Sequence, residues 1–290
     1  MSSADQLQRV LFEQADIRSV LTGLEQSYQQ AIEHHQYPAL SNKLLGKKMA
    51  AVSLLSATLK FDGRLLLQAQ SENQVKVLMA ECNHQRDLRA IARFEGELPE
   101  QAEFCELLSG GQLVITIEPD QGKRYQGVVP LEGKQLRNCL EAYFSRSEQL
   151  PTQIHLVADE QRAAGFLLQV MPAKGDSQAD WEHFSFLAST LTDQELLELD
   201  NATILHRLFH EEDCRLYDPE LLQFNCDCSR KRTADALRYL TQDELEEIVR
   251  EEGSIDVNCQ FCNERYSFDQ ADITLMFSDS ANIKGSDQLH

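Results

Sequence analysis

Apolar and polar positions change rhythm several times along the chain. Residues 24–35, Leu24-Glu-Gln-Ser-Tyr-Gln-Gln-Ala-Ile-Glu-His-His, carry helical spacing and stop before Tyr37-Pro38. Residues 48–59, Lys48-Met-Ala-Ala-Val-Ser-Leu-Leu-Ser-Ala-Thr-Leu, are small or apolar all round, which predicts a buried helix. From Gly63 onward the rhythm shortens to β-type runs at 63–70, 75–80, 88–94, 113–117 and 125–129. Asp62-Gly63, Gly110-Gly111 and Asp120-Gln121-Gly122 supply turns between them. A helix is predicted over 135–144, and strands over 152–157 and 165–171. Grouped helices and meandering strands, with no internal repeat, predict an α+β domain over residues 1–174: a twisted antiparallel sheet with packed helices.

Residues 175–223 turn acidic and amphipathic. Asp180, Glu182, Asp193, Glu195, Glu198, Asp200, Glu211, Glu212 and Asp213 alternate with Trp181, Phe184, Phe186, Leu191, Leu196, Ile204, Leu208 and Phe209. This predicts a helical linker whose apolar face must rest on something. It is either docked on the first domain or able to let go, and periodicity does not choose. A small cysteine-bearing module occupies 224–277. Within it Thr241-Gln-Asp-Glu244 is a capping box that starts a helix ending at Gly253. Residues 233–240 read as a shorter helix, and 254–258 and 266–268 as strands. Residues 278–290 read as a flexible polar tail.

Composition narrows the function. The hydrophobic fraction of 42% suits a real core. The 47 acidic residues against 27 basic ones leave a net charge of −20, which repels nucleic-acid phosphates and anionic membrane surfaces. No stretch approaches the roughly 20 apolar residues of a membrane span. The start, Met1-Ser-Ser-Ala-Asp-Gln-Leu-Gln-Arg, has no signal-peptide core, so a cytoplasmic location is expected. Thiols stay reduced there, and paired cysteines more often bind metal than form permanent disulfides.

The chemistry is concentrated in Cys226-Asp-Cys228 and Cys259-Gln-Phe-Cys262, with residues 229–258 between the pairs. Cys259 and Cys262 have the usual knuckle spacing, and in extended chain Cys226 and Cys228 face one side. Four thiolates at this separation predict one closed Zn2+ site with no open catalytic position. The net −2 of such a site could be offset by Arg230, Lys231, Arg232 and Arg265, which are its neighbours in sequence. A module of this size lacks a self-sufficient core, so a structural metal is expected. The same spacing allows a disulfide within each pair, which would remove two ligands at a time. Zinc that simply folds the module and zinc that serves as a redox sensor are both open on spacing alone.

Other candidates carry less. Cys82, Cys105 and Cys139 read as small buried hydrophobes. Cys214, beside Glu211, Glu212 and Asp213, should have a raised pKa and is not assigned to the switch. His34-His35 lacks metal-site context, and His206/His210 has i, i+4 spacing without a third ligand. Neither a phosphate-binding G-x-x-x-x-G-K-[ST] loop nor a G-x-S-x-G elbow is present.

Phe224-Asn-Cys226-Asp-Cys228-Ser-Arg, Val257-Asn-Cys259-Gln-Phe-Cys262 and Tyr266-Ser-Phe resemble the redox-regulated 33-kDa heat-shock chaperone family of bacteria. So do Ala57-Thr-Leu-Lys60, Tyr125-Gln-Gly-Val-Val-Pro-Leu, Tyr143-Phe-Ser-Arg-Ser-Glu-Gln-Leu-Pro-Thr152 and Leu168-Gln-Val-Met-Pro172. The resemblance spans nearly the whole chain. It implies a non-enzymatic, ATP-independent holdase, inactive when reduced and zinc-bound, that binds unfolding clients under oxidative stress. It also implies Cys226–Cys228 and Cys259–Cys262 disulfides, unfolding of module and linker, and dimerisation of the active form. The chain departs from the family pattern after Gln70, where Ser71-Glu-Asn-Gln replaces a glycine-containing turn.

Two other functions compete. A nucleic-acid-binding zinc module is opposed by the acidic charge, since Arg230, Lys231 and Arg232 make only a short basic cluster. A thiol–disulfide oxidoreductase using Cys259 and Cys262 would expect a βαβ setting, which the pattern lacks.

Overall fold

The chain begins with a hairpin, β1 (Gln6–Phe12) and β2 (Ile17–Leu24), in register from Gln6 opposite Gly23 to Phe12 opposite Ile17. Helices α1 (Gln26–Ile32) and α2 (Ala39–Ser56) follow. A meander comes next: β3 (Gly63–Gln70), β4 (Val75–Asn83) and β5 (Asp87–Phe94), then one turn of helix, α3 (Phe104–Leu107), β6 (Gln112–Pro119) and β7 (Tyr125–Val129). α4 (Leu136–Tyr143) leads into β8 (Thr152–Ala158) and β9 (Ala163–Val170). Three helices, α5 (Gln178–Ser189), α6 (Asp193–Glu198) and α7 (Asn201–Phe209), are followed by two-residue strands β10 (Arg215–Leu216), β11 (Glu220–Leu221) and β12 (Gln223–Phe224). This computed structural model describes residues 4–58, 62–172 and 178–283. It divides into two units, Met1–Asn225 and Cys226–His290.

The first unit is built around α2. One sheet has the order β10-β1-β2-β9-β8, with β11 also on β1, and the other the order β12-β5-β4-β3-β6-β7. α2 packs on strands of both sheets, so it is buried nearly all round, as its composition predicts. Leu45, Met49, Val52 and Leu54 join Val20 and Leu167 of the first sheet to Leu67 and Leu78 of the second in one core. At Gly46 the helix comes so close that a Cβ there would lie 2.9 Å from the Ala158 Cβ and 3.0 Å from the Ala163 Cβ. Gly46→Val should therefore lower unfolding stability by about 1–3 kcal/mol in a denaturant melt. An unchanged melt would mean that α2 can back away from the sheet.

The far face of the first sheet carries a second core. Val10, Phe12, Leu21, Phe166 and Leu168 meet Phe184, Leu196, Ile204, Leu208 and Phe209 from α5, α6 and α7. The rings of Phe12 and Phe209 are 4.9 Å apart, and those of Phe12 and Phe184 4.7 Å. His155 of β8 and Asp193 of α6 add a polar contact at 2.6 Å. The helices of the predicted linker are therefore docked on the first unit.

Double coverage explains what the alternation hides. β2 and β9 are buried on both faces, β9 at every position, so neither shows period-two polarity. β3, with one covered face, alternates strictly through Gln68 and is the strand the pattern marks best. The β3–β4 hairpin closes without a glycine in its loop. Ser71 Oγ donates to the Val75 carbonyl at 2.8 Å and accepts from the Asn73 amide at 3.2 Å. Asn73 Nδ2 donates to the Ser109 carbonyl at 2.6 Å.

The stretch 175–223 is helical only in its earlier part. Past Phe209 it pairs as edge strands, β10 and β11 on β1 and β12 parallel to β5. Two-residue strands carry no periodicity, and their partners lie about 130 to 210 residues away in sequence, so no local pattern announces them. Leu59, which closes the predicted second helix, Lys60 at the end of the family-like Ala57-Thr-Leu-Lys60 run, and the boundary at 174–175 lie outside the described residues.

The second unit holds α8 (Arg230–Leu237), α9 (Gln242–Glu252), the hairpin β13 (Ile255–Asn258) and β14 (Arg265–Phe268), and α10 (Gln270–Ile283). Among the described residues its buried apolar core is Leu245, Val249, Ile255, Phe268, Ile273 and Met276. The capping box predicted at Thr241 and Glu244 is present, and Gly253 takes φ +87° to end α9. α10 runs past Phe277 to Ile283, into the segment expected to be a loose tail. Ile273 and Met276 give this helix an apolar side that packs with α9, and that packing lies beyond the reach of composition. Residues 284–290 of that tail lie outside the described residues.

Candidate metal centre

Each cysteine pair sits beside a structural stop. The first precedes α8, whose N-cap Ser229 accepts a hydrogen bond from the Arg232 amide. The second follows β13 and is turned back by Asn263, which adopts φ +59°. Two backbone bonds of 2.8 Å, Cys259 N–H to the Glu264 carbonyl and Asn263 N–H to the Cys259 carbonyl, close this knuckle.

The two pairs converge. Cys226 Sγ is 3.6 Å from Cys259 Sγ, and Cys228 Sγ is 3.4 Å from Cys262 Sγ. All four sulfurs lie within 4.8 Å of one another. A tetrahedron with bonds of about 2.3 Å would put its sulfurs about 3.8 Å apart. The cluster could thus hold a metal ion, and among the described residues no other group of three or more His, Cys, Asp or Glu side chains converges this way.

The thiols differ in their surroundings. Burial pushes Cys226 up to about 11, with the Cys259 and Cys228 sulfurs adding to the rise and the Cys228 amide and Cys262 thiol opposing it. Burial also pushes Cys262 up, reinforced by the other sulfurs. Burial acts on Cys259 in the same direction, but hydrogen bonds from the Cys262 and Phe261 amides, together with the Cys226 and Cys262 thiols, hold this thiol below its ordinary value.

The basic residues near the ligands do not behave as their sequence positions suggest. Arg230 bonds Asp272 at 2.6 Å and lies over the Phe268 ring at 4.4 Å. Arg265 bonds Asp256 at 2.6 Å, and Arg232 pairs with Asp227. Carboxylates outcompete distant sulfurs for these guanidinium groups, because a charge-assisted N–H···O bond is short and strong. The side chain that does reach a ligand is Tyr266, whose hydroxyl donates to Cys228 Sγ at 3.1 Å. Position in sequence gives no signal for that contact, which follows from the register of β14 against β13.

Outside the cluster, Cys82 and Cys139 are buried, as expected, whereas Cys105 is only half-buried. Cys214 is exposed, and partial burial, then Asp213, raises its pKa. His206 and His210 stack with ring centroids 5.7 Å apart. Among the described residues no helix is long and apolar enough to cross a membrane.

A family model described as Hsp33 protein matches residues 5–269, which includes both cysteine pairs. The chain belongs to the Hsp33 family. Among its relatives, a 33 kDa chaperonin of Shewanella woodyi is 46% identical over 278 residues, covering 96% of this chain and 97% of the relative. One of Pseudomonas aeruginosa is 47% identical over 297 aligned residues, covering both chains in full. The crystal structure of the Thermotoga maritima 33 kDa chaperonin, a heat shock protein 33 homolog, superposes with a TM-score of 0.84 at 21% identity, covering 96% of this chain and 99% of that one. The α+β architecture expected from the sequence is thus the Hsp33 fold, kept at a low level of identity.

Proposed function

We propose that this Hsp33-type chaperone is a redox-gated holdase, silent when reduced and metal-loaded, that captures unfolding proteins under oxidative stress. The observation that carries this reading is the convergence of Cys226, Cys228, Cys259 and Cys262 in a unit with so small an apolar core. Zn2+ suits four thiolates, and bound there it would contribute on the order of 10 kcal/mol to folding the unit. Oxidation by peroxide would join Cys226 to Cys228 and Cys259 to Cys262, each bond giving up two electrons. A disulfide sulfur is no longer a thiolate ligand, so each bond formed withdraws two donors. The core of six buried side chains is then too small to keep the unit folded.

The linker supplies the second half of the proposal. The chain is held to the edge of the second sheet through Asn225, whose amide donates to the Leu88 carbonyl at 3.1 Å. The next residue is Cys226. Loss of order at Cys226 would therefore pull directly on β12 and, through β10 and β11, on α5 to α7. Releasing those helices would bare the apolar face of Phe12, Phe166 and Leu168, a surface suited to exposed apolar segments of clients. The absence of a nucleotide-binding loop is consistent with action independent of ATP, and the reading places the chain in the cytoplasm, with the oxidised form a homodimer.

Zinc content, free thiols and suppression of client aggregation, followed together before and after peroxide, test this function. Metal loss and thiol loss should coincide with the gain of suppression. Equal suppression by the reduced zinc-loaded and the oxidised protein would sink the proposal.

A further inference from the structure

A second pair of cysteines meets in the first unit, apart from the metal centre. Cys105 on α3 and Cys139 on α4 bring their sulfurs to 3.4 Å. Both thiols point at one acceptor, the Glu132 carbonyl, Cys139 at 3.3 Å and Cys105 at 3.7 Å. Their backbones are tied as well, since the Cys105 amide donates to the Lys134 carbonyl at 3.1 Å, just before α4. Cys139 is wholly buried, whereas Cys105 is half-buried and reachable from solvent.

We propose that Cys105 and Cys139 are a second, metal-independent redox pair that closes a disulfide between α3 and α4. The oxidant is a peroxide. The accessible Cys105 sulfur attacks one peroxide oxygen and the O–O bond breaks. The departing hydroxide takes the thiol proton and leaves as water, and Cys105 becomes a sulfenic acid. The Cys139 sulfur then attacks the Cys105 sulfur. The S–S bond forms, the S–O bond breaks, and the leaving hydroxide takes the Cys139 thiol proton and departs as a second water. Two thiols and one hydrogen peroxide thus yield one disulfide and two waters. Burial, then the neighbouring Cys139, pushes the Cys105 thiol up to about 12, so the first step is slow and the pair responds to prolonged oxidation.

Peptide mapping of the full-length protein without reduction, after hydrogen peroxide and alkylation, tests the pair. The expected product is a Cys105–Cys139 linked peptide within one chain, absent from Cys105→Ser. Recovery of both residues as alkylated thiols, or as separate sulfinic acids, would overturn it.

Discussion

Cys259→Ser should leave the unit Cys226–His290 unfolded in fully reduced protein. Cys259 is held below the ordinary thiol range by hydrogen bonds from the Cys262 and Phe261 amides and from the Cys226 and Cys262 thiols, against the effect of burial. A serine hydroxyl does not ionise near neutral pH, so the centre would keep three thiolates and an incomplete shell. The loss approaches the whole metal contribution, on the order of 10 kcal/mol. Capping at Thr241 and the pairing of Arg230 with Asp272 are each worth about 1 kcal/mol or less at these exposed positions and cannot replace it. Amide spectra should lose dispersion for the second unit while the first unit keeps its own, and bound zinc should fall to background. Stoichiometric zinc in a folded Cys259→Ser protein would refute the four-sulfur assignment.

Phe209→Ala should activate the reduced, zinc-loaded protein without any oxidant. The Phe209 ring lies 4.9 Å from that of Phe12, 5.6 Å from Phe184 and 6.5 Å from Phe166. It therefore ties α7 both to α5 and to the sheet. Truncating a buried phenylalanine costs about 3–5 kcal/mol, a large share of what docks three short helices on one face. Limited proteolysis should cut between residues 178 and 209 far faster than in the wild type, and aggregation suppression should appear in reducing buffer. Fast cleavage with no gain in suppression would separate linker release from function and remove this half of the proposed mechanism.

The convergence of the four cysteines was nearly all legible in the sequence, because knuckle spacing is a local property. Cys259-Gln-Phe-Cys262 predicts its own turn, and the second pair within reach completes a cluster that could hold a metal ion. Tyr266 and the guanidinium pairings were not legible, since they depend on the register of β13 against β14 and on competition among neighbours. The strands of the second sheet could be read from their short runs, with Gly63 opening β3 and Gly111 preceding β6. β1 and β2 could not. Their sheet is covered by α2 on one face and by α5 to α7 on the other, and burial on both sides erases the period of two.

The cysteines of the first unit divide along the same line. As single residues, Cys105 and Cys139 read as small hydrophobes. Their meeting belongs to two elements brought together from positions 105 and 139. The linker behaves likewise: its amphipathic pattern demands an apolar partner, and only the fold shows that Phe12 and Phe166 provide one. By itself, then, the sequence determined which four cysteines form the paired cluster, the buried character of α2, the acidic charge and the α+β class. Each of these rests on residues near one another in the chain or on bulk composition. Tertiary structure alone decided the docking of the linker, the strap of β10 to β12 and the meeting of Cys105 with Cys139. Those depend on non-local pairing and on burial from two sides, and neither leaves a periodic trace in the chain.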